Sequence, residues 1–139
     1  MIVAVHNPTG GVGKTTTAVN LAALEGLNGR KVLLVDLCAT ASASISVGAR
    51  PEHLRPSVAE VLVNPALALK AVRPVSGIDN LHLMPGSLAM AQIDAALRHV
   101  RQPERRLDDA MRPLESQFDL VVIDTPAGFS PVTLSTLMT

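Results

Sequence analysis

At 139 residues, with 47% apolar side chains, two Phe and neither Trp nor Tyr, the chain suits one domain with an aliphatic core. Twelve basic and twelve acidic side chains cancel, which excludes a whole-domain basic footprint for nucleic acid. One cysteine excludes an internal disulfide framework, and no run approaches the ~18 apolar residues of a membrane span, so a soluble, cytoplasmic protein is expected.

Ile2–Val5 is a short continuous apolar run, the pattern of a strand buried on both faces. Residues 6–13 form a Gly-rich loop with one Pro. Lys14–Leu27 has helical spacing, with Ala18, Leu21, Ala22 and Leu24 on one side and Asn28-Gly29 as the stop signal. Val32–Asp36 is a second buried strand, closed by a carboxylate. Residues 38–48 are small and polar, as a mobile loop or a short helix would be. Ser57 and Glu60 fit a capping box that opens a helix to about Val63. Leu81–Met84, closed by Pro85-Gly86, is a third strand. Residues 89–100 and 104–115 read as helices, with limits blurred by Pro103 and Pro113. Phe118–Asp124, "FDLVVID", is the clearest strand and again ends in Asp, and a further helix begins at Ser130.

Strands alternating with helices predict an α/β fold, a mostly parallel sheet joined by crossover helices. Ligands of such sheets sit at the carboxyl ends of the strands. Loop 7–13, Asp36 and Asp124 all fall at that edge, as one shared site requires.

The loop supplies the chemistry. Gly10, Gly11 and Gly13, with Val12 between them, let backbone N–H groups close on an anion without an obstructing Cβ. The helix starting at Lys14 directs the positive end of its dipole to the same point. Lys14 offers a mobile charge for the β- and γ-phosphates, Thr15 a hydroxyl for Mg²⁺, and Thr16 a hydrogen bond to a phosphate oxygen. Asp124 is suited to holding the water shell that Mg²⁺ keeps. The general pattern G-x-x-x-x-G-K-[ST] fails, because Pro8 stands where its first Gly belongs; the narrower G-G-x-G-K-[ST]-T form remains.

"NPTGGVGKTTTAVNLAAL", "RKVLLVDL", "SVAEVLV", "LHLMPG" and "FDLVVIDTPAG" together resemble successive blocks of the ParA/MinD family of deviant Walker-A ATPases, nearest its partition ATPases, the Soj-like branch. The resemblance covers about the first half of such a protein. It implies a single P-loop domain over residues 1–139, three-layered, with helices on both faces of the sheet and truncated relative to the family. The phosphate loop would be residues 7–16 and the magnesium-site strand 118–124. It implies MgATP as ligand, ATP-dependent homodimerisation, slow hydrolysis, and DNA or a partition partner as what is switched. By position, Gly10 to Thr16 would bind phosphate, Thr15 and Asp124 would serve Mg²⁺, Lys14 would be catalytic, and Asp36 would begin the loop sensing the γ-phosphate.

Two residues depart from that pattern. Thr9 replaces the lysine before the paired glycines, and it is shorter and uncharged. Cys38 replaces the carboxylate expected to orient the attacking water. A thiol does this poorly, since at an unperturbed pKa of ~8.5 it is mostly protonated at neutral pH. Cys38 reads as a small, inert side chain rather than a redox or nucleophilic one. If the sheet follows the family order, Ile2–Val5 becomes an exposed edge.

The remaining signals are weaker. Arg98, Arg101, Arg105, Arg106 and Arg112 are interleaved with acids and read as a solvated helix with an Arg105–Asp109 pair, rather than as a DNA patch. The four histidines lack metal-ligand spacing, and one cysteine cannot complete a zinc site. Met84, Met90 and Met111 read as core fillers, and Ser42, Ser44 and Ser46 as a flexible switch loop. An ATP-binding partition-type protein with weak or absent hydrolysis is the primary expectation. A non-catalytic dimerising or partner-binding scaffold with a vestigial phosphate loop is the alternative, and a small-molecule kinase or ligase ranks last.

Overall fold

The computed structural model describes residues 1–128, 130, 131, 135 and 136. Strands β1 (Ile2–Val5), β2 (Val32–Asp36), β3 (Arg73–Pro74), β4 (Leu81–Met84) and β5 (Leu120–Asp124) form one sheet in the order β1-β5-β2-β4-β3. All neighbouring pairs are parallel except β3, which runs antiparallel to β4. The helices are α1 (Lys14–Leu27), α2 (Ser42–Ser46), α3 (Val58–Val63), α4 (Ala68–Ala71), α5 (Ile93–Leu97) and α6 (Arg106–Glu115), with short 3₁₀ turns between some of them.

β2 shows why the strands read as unbroken apolar runs. Val32 and Leu34 enter one core with Ala18 and Ala22 of α1, while Leu33 and Val35 enter another with Val61 of α3 and Met111 and Leu114 of α6. A sheet covered on both faces has no polar side to alternate towards. α3 is opened by the expected capping box, in which the Ser57 amide donates to Glu60 Oε2 at 2.8 Å. Met84, Met90 and Met111 are buried in the core, the fillers that the sequence led us to expect.

Several boundaries shift. The single helix expected over 89–100 is a 3₁₀ turn, Leu88–Gln92, followed by α5. The one expected from Glu104 starts as a 3₁₀ turn, Pro103–Arg105, before α6. Arg105 therefore lies outside α6, and the pairs that form are Arg112 with Asp108 at 2.8 Å and with Asp109 at 3.6 Å. Strand β5 begins at Leu120, not Phe118, whose ring instead packs edge-on against His82 with centroids 5.3 Å apart. Residues 42–46 are helical rather than a switch loop, and α4 and β3 had no counterpart in the reading of the sequence. The helix expected from Ser130 lies largely outside the described residues. β1 pairs only with β5 among the described strands, so it is the sheet edge that the family order implied.

Candidate functional site

Parallel pairing aligns three strand ends. Val5 of β1 and Asp36 of β2 both stand opposite Asp124 of β5. From Val5 the chain turns into the Gly-rich loop, which is fixed to the segment after β5. The Thr125 hydroxyl donates to the Val5 carbonyl at 2.8 Å, and the Gly128 amide donates to the Pro8 carbonyl at 3.0 Å. At the loop's start the Thr9 amide donates to Asn7 Oδ1 at 2.9 Å.

Beyond Thr9 the donors are left open. Among the described residues, none of the backbone N–H groups from Gly10 to Thr16 donates a hydrogen bond of normal geometry, and the first that does is Thr17, to the Gly13 carbonyl at 2.9 Å. Gly11 and Gly13 make this shape accessible, at φ 72° and 88°, in the left-handed region that L side chains avoid. Open amides on a concave loop, at the start of a 14-residue helix without a side-chain cap, form an anion-binding nest. The nest opens on a cavity of about 820 Å³ lined by Gly10, Gly11, Gly13, Lys14, Thr15 and Thr16, by Cys38 and Ser42 across from them, and by residues 125–127. Val12 does not line this cavity, and its side chain is half exposed.

Lys14 reaches back to donate from Nζ to the Thr9 carbonyl at 2.9 Å and has no carboxylate partner among the described residues, so its charge is available to a ligand. Thr15 Oγ1 donates to Asp124 Oδ2 at 2.7 Å. Asp124 is fully buried behind the loop, and its other oxygen, Oδ1, has no partner. Burial, with the Asp36 charge beside it, holds the Asp124 carboxyl above the usual carboxylate range despite the Thr15 bond. A polyphosphate fits the open amides and Lys14. A divalent cation fits Thr15 and the orphaned oxygen of Asp124, where it would offset the buried negative charge. The residues present thus suit a magnesium nucleotide.

Asp36 stands at the start of the 38–44 turn and is held there by three hydrogen bonds. Its Oδ2 accepts from the Ser44 amide at 2.9 Å and from the Ser44 hydroxyl at 2.7 Å, and its Oδ1 from the Cys38 amide at 3.0 Å. The Ser44 hydroxyl in turn accepts from the Gly86 amide at 3.1 Å. The carboxylate is fully buried and does not line the cavity; it clamps α2, the 38–44 turn and the end of β4. Ser44 makes this possible, a buried hydroxyl in a stretch that reads as polar and loose, and no sequence signal distinguishes it from Ser42 or Ser46. The clamp leaves no room at Gly86, where a Cβ would lie 2.8 Å from the Cys38 carbonyl oxygen and 2.9 Å from Asp36 Cγ. Gly86→Ala is therefore expected to cost about 1–3 kcal/mol of stability by overpacking, read as a lower urea midpoint.

Cys38 is half-buried, and its Sγ lies 3.8 Å from Asp124 Oδ2. Burial and the carboxylates of Asp124 and Asp36 push the thiol far up, so it is neutral at physiological pH. No thiolate nucleophile stands at the cavity wall. The structure thus brings together Gly10, Gly11, Gly13, Lys14, Thr15, Thr16 and Cys38 at one opening, with Asp124 behind them. It sets Asp36 apart as a clamp.

A parallel sheet whose first strand runs through a glycine nest into a Lys-Thr-led helix is a P-loop NTPase fold. The chain belongs to the AAA_31 family, described as an AAA domain, which matches residues 1–139. It is 32% identical over 136 residues to the chromosome partitioning protein ParA of Myxococcus xanthus, covering 98% of this chain and 48% of that protein. It is 36% identical to the chromosome-partitioning ATPase Soj of Thermus thermophilus, covering 97% of this chain and 49% of that one. A crystal structure of cobyrinic acid a,c-diamide synthase from Mycobacterium smegmatis, with bound ATP analogue and magnesium, superposes with a TM-score of 0.91. It is 34% identical, over 98% of this chain and 55% of the synthase. The chain spans about half the length of the relatives it matches, and the resemblance to the amino-terminal half of ParA-family proteins holds.

Proposed function

We propose that this domain binds MgATP through Gly10–Thr16, as a deviant Walker-A member of the partition and positioning ATPases, and hydrolyses it weakly. The observation that carries the reading is the run of open amides from Gly10 to Thr16 at the start of α1, with Lys14 at its centre. The amides and Lys14 would hold the phosphates, and the Thr15 hydroxyl and Asp124 would hold the cation and its water. Mg²⁺ bound there would supply charge neutralisation between the phosphate oxygens.

Weak turnover follows from two absences of charge. Thr9 brings no cation to the phosphates, and its amide is engaged by Asn7. Cys38 presents a protonated thiol where a carboxylate would orient water. Each loss of that sort typically lowers the rate about 10²-fold or more. Homodimerisation and a cytoplasmic partition partner belong to the same reading. DNA contact is its least supported element, because Arg106 and Arg112 of the basic run are engaged by the Arg101 and Val63 carbonyls and by Asp108 and Asp109.

Calorimetric titration with ATP and with ADP, in the presence of Mg²⁺, is expected to show saturable binding. Folded protein that gives no heat with either nucleotide would leave the scaffold reading instead. Cys38→Asp combined with Thr9→Lys is expected to raise phosphate release about 10²-fold or more. An unchanged rate would show that neither position limits turnover.

A further inference from the structure

We propose that the centre formed by Cys38, Asp124 and Thr15 takes a thiophilic divalent cation, with the Cys38 sulfur as a direct ligand. The proposal deepens the reading above, because the same cation would face the phosphates, but its test needs no nucleotide.

A lone thiol selects nothing. Here it is joined by an independent observation: Asp124 is 0% exposed, and its Oδ1 has no hydrogen-bond partner. Such an oxygen is stable in a protein interior when something positive meets it. The other oxygen, Oδ2, is 3.8 Å from Cys38 Sγ, and one donor atom each from Asp36, Cys38 and Asp124 lie within 4.8 Å of one another. One ion bonded to sulfur at ~2.3 Å and to oxygen at ~2.1 Å bridges a separation of that size. Asp36 adds charge rather than a ligand, since Cys38 and Ser44 already occupy its oxygens. Asp36 and Asp124 bring two buried carboxylates to the centre, and Lys14 offsets the Asp124 charge only weakly, so the centre is short of positive charge.

Ligand type then decides which ion. Mg²⁺ demands oxygen donors in near-octahedral array and gains nothing from a sulfur at this distance. Softer ions of the Co²⁺, Zn²⁺ and Cd²⁺ kind do gain, because thiolate sulfur is their preferred donor. Having Cys at 38 therefore adds a donor for such ions beside the oxygens that suit Mg²⁺. The thiol proton passes to the buffer as the metal–sulfur bond forms, so charge and atoms balance without any oxidant.

The test is titration of the whole chain with Cd²⁺, without nucleotide, followed by the thiolate-to-cadmium charge-transfer absorption in the ultraviolet. With neither Trp nor Tyr the background is low, and with one cysteine in the chain any band belongs to Cys38. The expected result is a band that saturates at one cadmium per chain and persists against roughly tenfold excess Mg²⁺. Cys38→Ser should abolish it, and Asp124→Asn, checked for folding by circular dichroism, should weaken cadmium binding about tenfold or more. Three results would overturn the proposal: no band from folded protein, saturation at one cadmium for two chains, or unchanged affinity in Asp124→Asn. A cadmium band in protein that binds no nucleotide would leave this centre standing and remove the nucleotide reading. Nucleotide binding without a band would do the reverse.

Discussion

Lys14→Ala is expected to abolish measurable ATP binding while leaving the unliganded protein folded and nearly as stable. The two halves of this outcome come from different facts. Among the described residues the Lys14 side chain makes one hydrogen bond, from Nζ to the Thr9 carbonyl at 2.9 Å, in a solvent-facing contact with no ion-pair partner. Such a bond contributes about 1 kcal/mol or less, so the melting temperature should move little. A bound polyphosphate would instead meet the ammonium group as its only side-chain cation within the loop, among neutral amides. Charge-assisted hydrogen bonds are worth about 1.5–3 kcal/mol each, so two of them account for a loss of roughly 10²-fold or more in affinity. Titration of a fluorescent nucleotide, alongside thermal unfolding of both proteins, checks the two halves together. Retained affinity would mean that the open amides alone bind any anion, and the site would lose its claim to be a nucleotide site. A large drop in melting temperature would show that Lys14 is part of the scaffold of the loop.

The elements whose signal is local were legible in the sequence. β1, α1, β2 and β4 occupy the spans that their apolar runs and stop signals set out, because a continuous aliphatic run between turn residues has few other uses in a chain this short. Elements decided by tertiary contact were not. Arg73–Pro74 is a strand only because β4 offers it an edge, and two residues carry no period of their own. The helix limits near Pro103 moved because Gln102, at φ 52°, turns the chain just before the proline.

The site divides in the same way. The nest at Gly11 and Gly13, with Lys14 and Thr15 following it, is set by local backbone geometry, so its shape was legible in the spacing. Asp36 reads from sequence as a sheet-edge carboxylate facing a ligand, equal in standing to Asp124. What separates the two is Ser44, eight residues on, folded back by α2 to occupy Asp36 and not Asp124. Nothing in the pattern Ser42-Ala43-Ser44-Ile45-Ser46 indicates which serine turns inward.

That division has a measurable consequence: Asp36→Ala is expected to destabilise the unliganded protein by about 2–4 kcal/mol, since it leaves the buried amides of Cys38 and Ser44 unpaired. Asp36→Asn, which keeps one acceptor and much of the shape, should cost less. The pH dependence runs against the usual behaviour of a structural aspartate. Burial pushes the Asp36 carboxyl above its ordinary value of 3.8, and the bonds from Ser44 and Cys38 pull it back only in part. The folded state therefore holds its proton to higher pH than the unfolded state does. Where the folded form binds more protons, stability falls as pH rises, from the unfolded value up through the raised folded one. The contribution of Asp36 is thus greatest in acid and smallest once the carboxyl is ionised in the folded chain. Urea unfolding of wild type and both variants, in a series of buffers rising from pH 3.8, should show the Asp36→Ala penalty shrinking as pH rises, and the gap to Asp36→Asn narrowing with it. A carboxylate held by a salt bridge would give the opposite slope, and one that only sensed a phosphate would leave the midpoint of the unliganded protein unmoved across the series.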